Sequence, residues 1–144
     1  MQTLSHPTVR VLIVQNEAIT RELWAHLLQM GGYDVLSSET GESALTMARR
    51  WRGRIDGLVT AVKLPGLVDG WMVADAFRLC NPLRPIVYSC DADEDLDWRE
   101  PNATFIRLPM SPLDLLERVK RMIKPASEAG SATLSEPMPV LLAS

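Results

Sequence analysis

Two cysteines, two histidines, two tyrosines and two phenylalanines in 144 residues leave little material for the commoner reactive centres. Cys80 and Cys90 show no CxxC or Cys/His spacing, so neither a redox dithiol nor a zinc site is indicated, and both read as buried or half-buried thiols. His6 lies in an irregular lead-in, and His26 falls in a helical stretch without a second ligand four residues on, so no metal is expected. Glycine is sparse as well, and none of it forms a phosphate-cradling loop; with no catalytic triad either, an enzyme is the last-ranked reading. No apolar run approaches the roughly 18 residues that span a bilayer, and residues 1–8 lack a basic stretch followed by an apolar one. No membrane association is expected, and a cytoplasmic location is the default. A basic excess is missing too: the net charge of −3 argues against a nucleic-acid face, although Arg49, Arg50, Arg52 and Arg54 cluster. That cluster reads first as the solvated end of a helix and its loop, and second as a phosphate or partner contact.

What is present is a chain of ordinary globular composition, 47% hydrophobic and 23% charged, of a length that suits one core. Residues 1–7 read as a flexible N-terminus, 8–124 as the folded domain with no second domain beside it, and 125–144 as a flexible tail rich in Pro, Ala and Ser. Val9 to Val14 is nearly all apolar and suits a strand covered on both faces. Ile19, Leu23, Leu27 and Met30 then recur at helical spacing, and Gly31-Gly32 supplies a stop. Tyr33 to Ser37 predicts a second strand, after which Thr40 caps a helix with Ala44, Leu45 and Ala48 inward, closing near Trp51.

Leu58 to Val62 predicts strand three, and Trp71 to Leu79 its helix, ended by Asn81-Pro82. Ile86 to Ser89 and Thr104 to Leu108 predict strands four and five. The last helix opens with Ser111 as N-cap and Pro112 in its first turn, and Leu115, Leu116, Val119, Met122 and Ile123 form its buried stripe. Only about fourteen residues separate Ser89 from Thr104, rich in acid (Asp91, Asp93, Glu94, Asp95, Asp97, Glu100) and cut by Pro101, so the fourth helix is expected to be short, irregular or missing. Strands alternating with helices imply right-handed crossovers and a parallel α/β sheet. In such sheets ligands bind beyond the carboxyl ends of the strands. Here that edge collects Gln15-Asn16-Glu17, Ala61 to Lys63, Ser89 and Leu108-Pro109.

Several segments within residues 8–124 are specific: Val11-Leu12-Ile13-Val14 before Gln15-Asn16-Glu17, Leu64-Pro65-Gly66 with Asp69-Gly70, Tyr88-Ser89, and Phe105 to Pro109 followed by Ser111-Pro112. Together they resemble the response-regulator receiver (CheY-like) domain of bacterial two-component systems. The resemblance implies a flavodoxin-like doubly wound fold, with five parallel strands in the order 2-1-3-4-5. It also implies an aspartate at position 61 that accepts a phosphoryl group, and an acidic pair at 15 and 16 that holds Mg²⁺ with the backbone carbonyl of Lys63. The remaining expected groups are a Ser or Thr at 89, a lysine at 108 before a Pro and a switch aromatic at Phe105. The Leu108-Pro109 bond is expected to be cis.

This chain departs from that equipment at most positions. Ala61 has no nucleophilic atom, Gln15 and Asn16 are neutral amides, and Leu108 is apolar; Ser89 keeps its type, and Glu17 remains of the acidic stretch. The predicted pocket is therefore degenerate, with Mg²⁺ weakly bound or absent and no other cofactor. Asp56 and Asp69 are poor substitutes as acceptors, the latter reading as a turn residue beside Gly70. Removing mutually repelling carboxylates together with the lysine that offsets them is physically coherent.

The leading expectation is an atypical stand-alone response regulator that acts by phosphorylation-independent protein contact, with a histidine kinase, another response regulator or a second copy as partner. A homodimer would use strand five and the last helix, or the C-terminal tail. Trp98, Phe105, Met138 and Leu141 are the candidate contact residues, with Trp98 read first as local packing and second as a contact. Trp24 and Trp71 are expected on helix surfaces, Trp71 bordering the pocket. The alternatives are a ligand sensor using Gln15, Asn16 and Ser89, and a receiver whose acceptor was mutated to Ala61.

Overall fold

The computed structural model describes residues 8–91 and 104–124. Five parallel strands, β1 (Arg10–Val14), β2 (Asp34–Ser38), β3 (Gly57–Ala61), β4 (Ile86–Asp91) and β5 (Thr104–Leu108), form one sheet in the order β2-β1-β3-β4-β5. The helices are α1 (Ala18–Met30), α2 (Gly41–Arg50), α3 (Gly70–Cys80) and α4 (Pro112–Met122). The fold class expected from the sequence is the one found. The connection from β4 to β5, where a short or irregular helix was expected, lies outside the described residues, as do the lead-in 1–7 and the tail 125–144.

Period-two alternation on each strand sorts the core into two layers. Leu12, Val14, Leu58 and Tyr88 pack on one face of the sheet with Ala44 of α2 and Val73, Ala74 and Phe77 of α3. Val11, Ile13, Val59, Val87 and Ile106 pack on the other with Trp24 and Leu28 of α1 and Leu115 and Val119 of α4. Burial on both faces is why these strands read as continuous apolar runs.

Thr40 and Ser111 cap helices where the sequence predicts, and Asp69, read from the sequence as a turn residue, caps a third. The side chains of Thr40, Asp69 and Ser111 accept the backbone N–H of Ser43 (3.1 Å), Met72 (3.0 Å) and Asp114 (3.2 Å). Each satisfies a donor that the first turn leaves without an intrahelical partner. After α1, the positive φ belongs to Gly32 (+99°), while Gly31 stays at −82°.

The inward face of α1 differs from expectation. Trp24 (3% exposed) and Leu28 (1%) point into the core, while Ile19 and Met30 are 79% and 72% exposed. Neighbouring helix positions differ by about 100° around the axis, so two apolar stripes overlap here, and the one carrying the indole covers more sheet. In α4 the same selection buries Leu115, Val119 and, just past its end, Ile123, and leaves Met122 at the rim. The Tyr33 hydroxyl, placed just before β2, donates to the Ile123 carbonyl and ties the end of α4 to the sheet.

Candidate functional site

Four strand ends converge on a cleft of about 300 Å³. From β1 it receives Gln15 and Asn16, and from β3 Ala61 with the following Lys63, Leu64 and Pro65. Ser89, Cys90 and Asp91 of β4 and Leu108 of β5 complete the wall. Six of the seven positions predicted to form the pocket thus come together. The seventh, Glu17, lies outside the cleft: it is exposed at the start of α1, where its carboxylate accepts the Thr20 hydroxyl.

The loop after β1 is held by neutral groups and by one cation from α1. The Gln15 side chain, 6% exposed as a residue, uses its amide oxygen to accept the Glu17 N–H at 3.1 Å. Arg21 donates to the carbonyls of Gln15 (2.9 Å) and Asn16 (3.4 Å), and its guanidinium lies 3.6 Å from a Glu39 carboxylate oxygen. Where the resemblance implies a metal drawing this loop inward, a guanidinium engages its backbone from the helix side.

Ala61 is 7% exposed, and its position is set by a close approach from below. The Gly70 N–H donates to Val62 O at 2.8 Å, and a Cβ on Gly70 would stand 2.0 Å from Ala61 O. Only glycine lets α3 begin that near the end of β3. Thr60, one residue earlier and so on the opposite face, donates its hydroxyl to Ala61 O at 3.0 Å and is wholly buried, as a packed strand residue should be.

Ser89 lies beside Ala61 in the sheet register and is 1% exposed. Its hydroxyl has no hydrogen-bond partner among the described residues. Leaving such a group unsatisfied costs about 1–3 kcal/mol. Among the described residues of the cleft wall, Lys63 and Asp91, both exposed, are the formally charged ones.

Asp56 and Asp69 are far from acceptor duty. Asp56 precedes β3 at the opposite edge, where it accepts the Arg10 N–H at 2.8 Å, and Asp69 is occupied as the cap of α3.

Asp91 was not singled out from the sequence for the cleft. Strand four was expected to stop at Ser89, but β4 runs on to Asp91, which pairs with Leu108. The available signal was period two, since Ser89 and Asp91 share a face of one strand. The Arg21 contact was also missed, because nothing in the spacing marks a helical arginine as a loop fastener.

Phe105, at the switch position, is half-buried and packs into an aromatic cluster. Its ring stacks on Tyr88 at 5.4 Å and meets Trp71 edge-on at 6.1 Å, and Trp71 and Tyr88 lie 4.7 Å apart. Trp71, expected at a helix surface bordering the cleft, is instead 6% exposed and absent from the cleft wall. It is drawn under α3 by two aromatic neighbours, which bury more ring surface than the open rim offers. Arg78 donates to the Tyr88 hydroxyl (3.2 Å) and Arg118 to the Phe105 carbonyl (3.1 Å), fixing both strands that carry the cluster. The Leu108-Pro109 bond is cis, as expected. Trp98, Met138 and Leu141 lie outside the described residues.

No family model matches the chain. The solved receiver domain of the hybrid histidine kinase CckA is 32% identical and superimposes over 80% of this chain and 99% of that one, with a TM-score of 0.69. A response regulator receiver protein from Sinorhizobium medicae WSM419 is 28% identical over 81% of this chain and 94% of its own, with a TM-score of 0.72. Among curated proteins, the alkaline phosphatase synthesis transcriptional regulatory protein PhoP of Bacillus subtilis is 31% identical over 119 residues, which are 80% of this chain and 48% of that protein. The chain spans about half the length of the transcriptional regulators it matches. The strand order, the strand-end cleft, and an identity of 32% across nearly the whole CckA receiver domain agree: the chain belongs to the response-regulator receiver family.

Proposed function

We propose that this receiver works in two-component signalling by phosphorylation-independent protein contact, as a binding protein and not as an enzyme. The observation that carries the reading is Ala61 at the end of β3, in a cleft whose charged lining residues, among those described, are Lys63 and Asp91. A phosphoryl dianion there would find no carboxylate on β3 to carry it and no lysine at position 108. Magnesium has no part in this reading, because two neutral amides and one rim carboxylate are a poor match for a hard, strongly hydrated cation.

Receivers of this family change partners by shifting between packings, and a ligand or modification biases that equilibrium only through differential contacts. With Phe105 packed against the adjoining Tyr88 and Trp71 rings, one packing is favoured without modification. The partner is then a histidine kinase, another response regulator or a second copy, engaged through β5 and α4 or through the C-terminal segment with Met138 and Leu141. Among the described residues no helix is long and apolar enough to cross a membrane, and the proposed site of action is the cytoplasm.

The test is incubation with Mg²⁺ and acetyl phosphate or beryllofluoride, followed by intact mass and tryptophan emission. The expected result is no phosphoryl mass and no saturable emission change, with Trp71 as a reporter in contact with the switch aromatic. An added phosphoryl group at any residue, Asp91 included, overturns the reading.

A further inference from the structure

We propose that the strand-end cleft is a binding site for a small, net-neutral polar molecule, held at the Ser89 hydroxyl. This rests on the reading that Ala61 leaves the cleft unphosphorylated. About 300 Å³ is room for a compact metabolite, and the location is the one where open α/β sheets take ligands.

The chemical class follows from the wall. Among its described residues the wall carries one formal positive charge, Lys63, and one negative, Asp91, so a dianion would add uncompensated charge to it, while a neutral molecule or a zwitterion adds none. Ser89 supplies the anchoring group: a hydroxyl that can donate and accept, 1% exposed as a residue and without a partner among the described residues. A ligand hydroxyl, amide or carboxylate bonded to it satisfies a group that no described residue pairs. Asn16 adds an exposed amide to the same cleft. Leu64 and Pro65 after β3 and Leu108 of β5 add apolar side chains to the wall, suited to the carbon skeleton of such a molecule. Polar neutral compounds come in two kinds that share this chemistry, amino-acid zwitterions and uncharged polyols.

The experiment records ¹⁵N–¹H spectra of the full chain titrated separately with L-glutamine, myo-inositol and inorganic phosphate. At least one of the first two is expected to shift the Asn16, Ala61 and Ser89 amides saturably, with a midpoint below about 10 mM. Response to L-glutamine assigns the zwitterion class, and response to myo-inositol the uncharged class. Ser89→Ala should weaken the response about tenfold, and Ala61→Leu, which fills the cleft while keeping Ser89, should abolish it; unchanged spectra away from the cleft verify that both variants fold. Phosphate binding more tightly than both compounds, no saturable shift from either, or an undiminished response in Ser89→Ala overturns the proposal. Phosphoryl uptake by intact mass is a separate readout, so failure of this site and failure of the contact-signalling reading are distinguishable.

Discussion

The two ends of the sheet treat charge in opposite ways. At the amino-terminal edge, charged side chains interlock: Arg10 Nε lies 2.6 Å from Asp34 Oδ2, Asp56 accepts the Arg10 N–H at 2.8 Å, and Arg84 stands 3.6 Å from the other Asp56 oxygen. The guanidiniums of Arg10 and Arg54 also lie over the Trp51 ring at 4.5 and 4.9 Å, which places part of the arginine cluster against an aromatic face. At the carboxyl-terminal edge, the positions where receivers carry carboxylates and a lysine hold Gln15, Asn16, Ala61 and Leu108. Half-buried charge persists where the fold itself supplies the counter-charge. At the cleft the expected carboxylates and the lysine that would offset them are absent together.

The strongest way to break this contrast is to return the missing groups. Gln15→Asp, Asn16→Asp, Ala61→Asp and Leu108→Lys combined should restore Mg²⁺-dependent phosphoryl uptake from acetyl phosphate, read by intact mass. Ala61→Asp alone should take up none, and uptake by that single variant would show that the other three positions were not part of one change. Next in size is Gly70→Ala, which drives a methyl group against the Ala61 carbonyl and should cost about 3 kcal/mol in urea unfolding. A loss within the ordinary surface range would mean that α3 does not hold the end of β3 in place.

At the other edge, Asp56→Ala removes the acceptor of a backbone N–H and the partner of Arg84. About 2 kcal/mol is expected, most of it from the hydrogen bond because Arg84 is half exposed. The smallest effect belongs to Ser89→Ala, which should leave stability within about 0.5 kcal/mol of the parent or raise it, since an unpaired hydroxyl is lost. A clear destabilisation there would mean that the hydroxyl has a partner in the free protein.

Much of the fold was legible because its signals are local. Thr40, Ser111 and Pro112 mark helix starts by hydrogen-bonding chemistry that needs no tertiary context, and β5 follows from its own residues at its predicted limits. The site was legible in outline for a related reason: parallel topology carries every strand end to one edge, so naming the strands nearly names the lining. What escaped was geometry between elements. Asp91 was hidden because the end of β4 depends on pairing with β5, and Trp71 was misplaced because its rotation is decided by Tyr88 and Phe105, distant in sequence. The choice of Trp24 and Leu28 over Ile19 and Met30 is of the same kind, a competition between two stripes of one helix for the same sheet.

By itself, then, the sequence determined the alternation of strands and helices and the chemical poverty of the strand-end positions, because residue type settles what an atom can donate, accept or attack. The tertiary structure decided which face of each helix is inward, that Ser89 lines the cleft without a partner among the described residues, and that Lys63 and Asp91 share one cleft. Those outcomes depend on which surfaces compete for the same buried area and on where separate strands come into register, and neither quantity exists until the chain has folded.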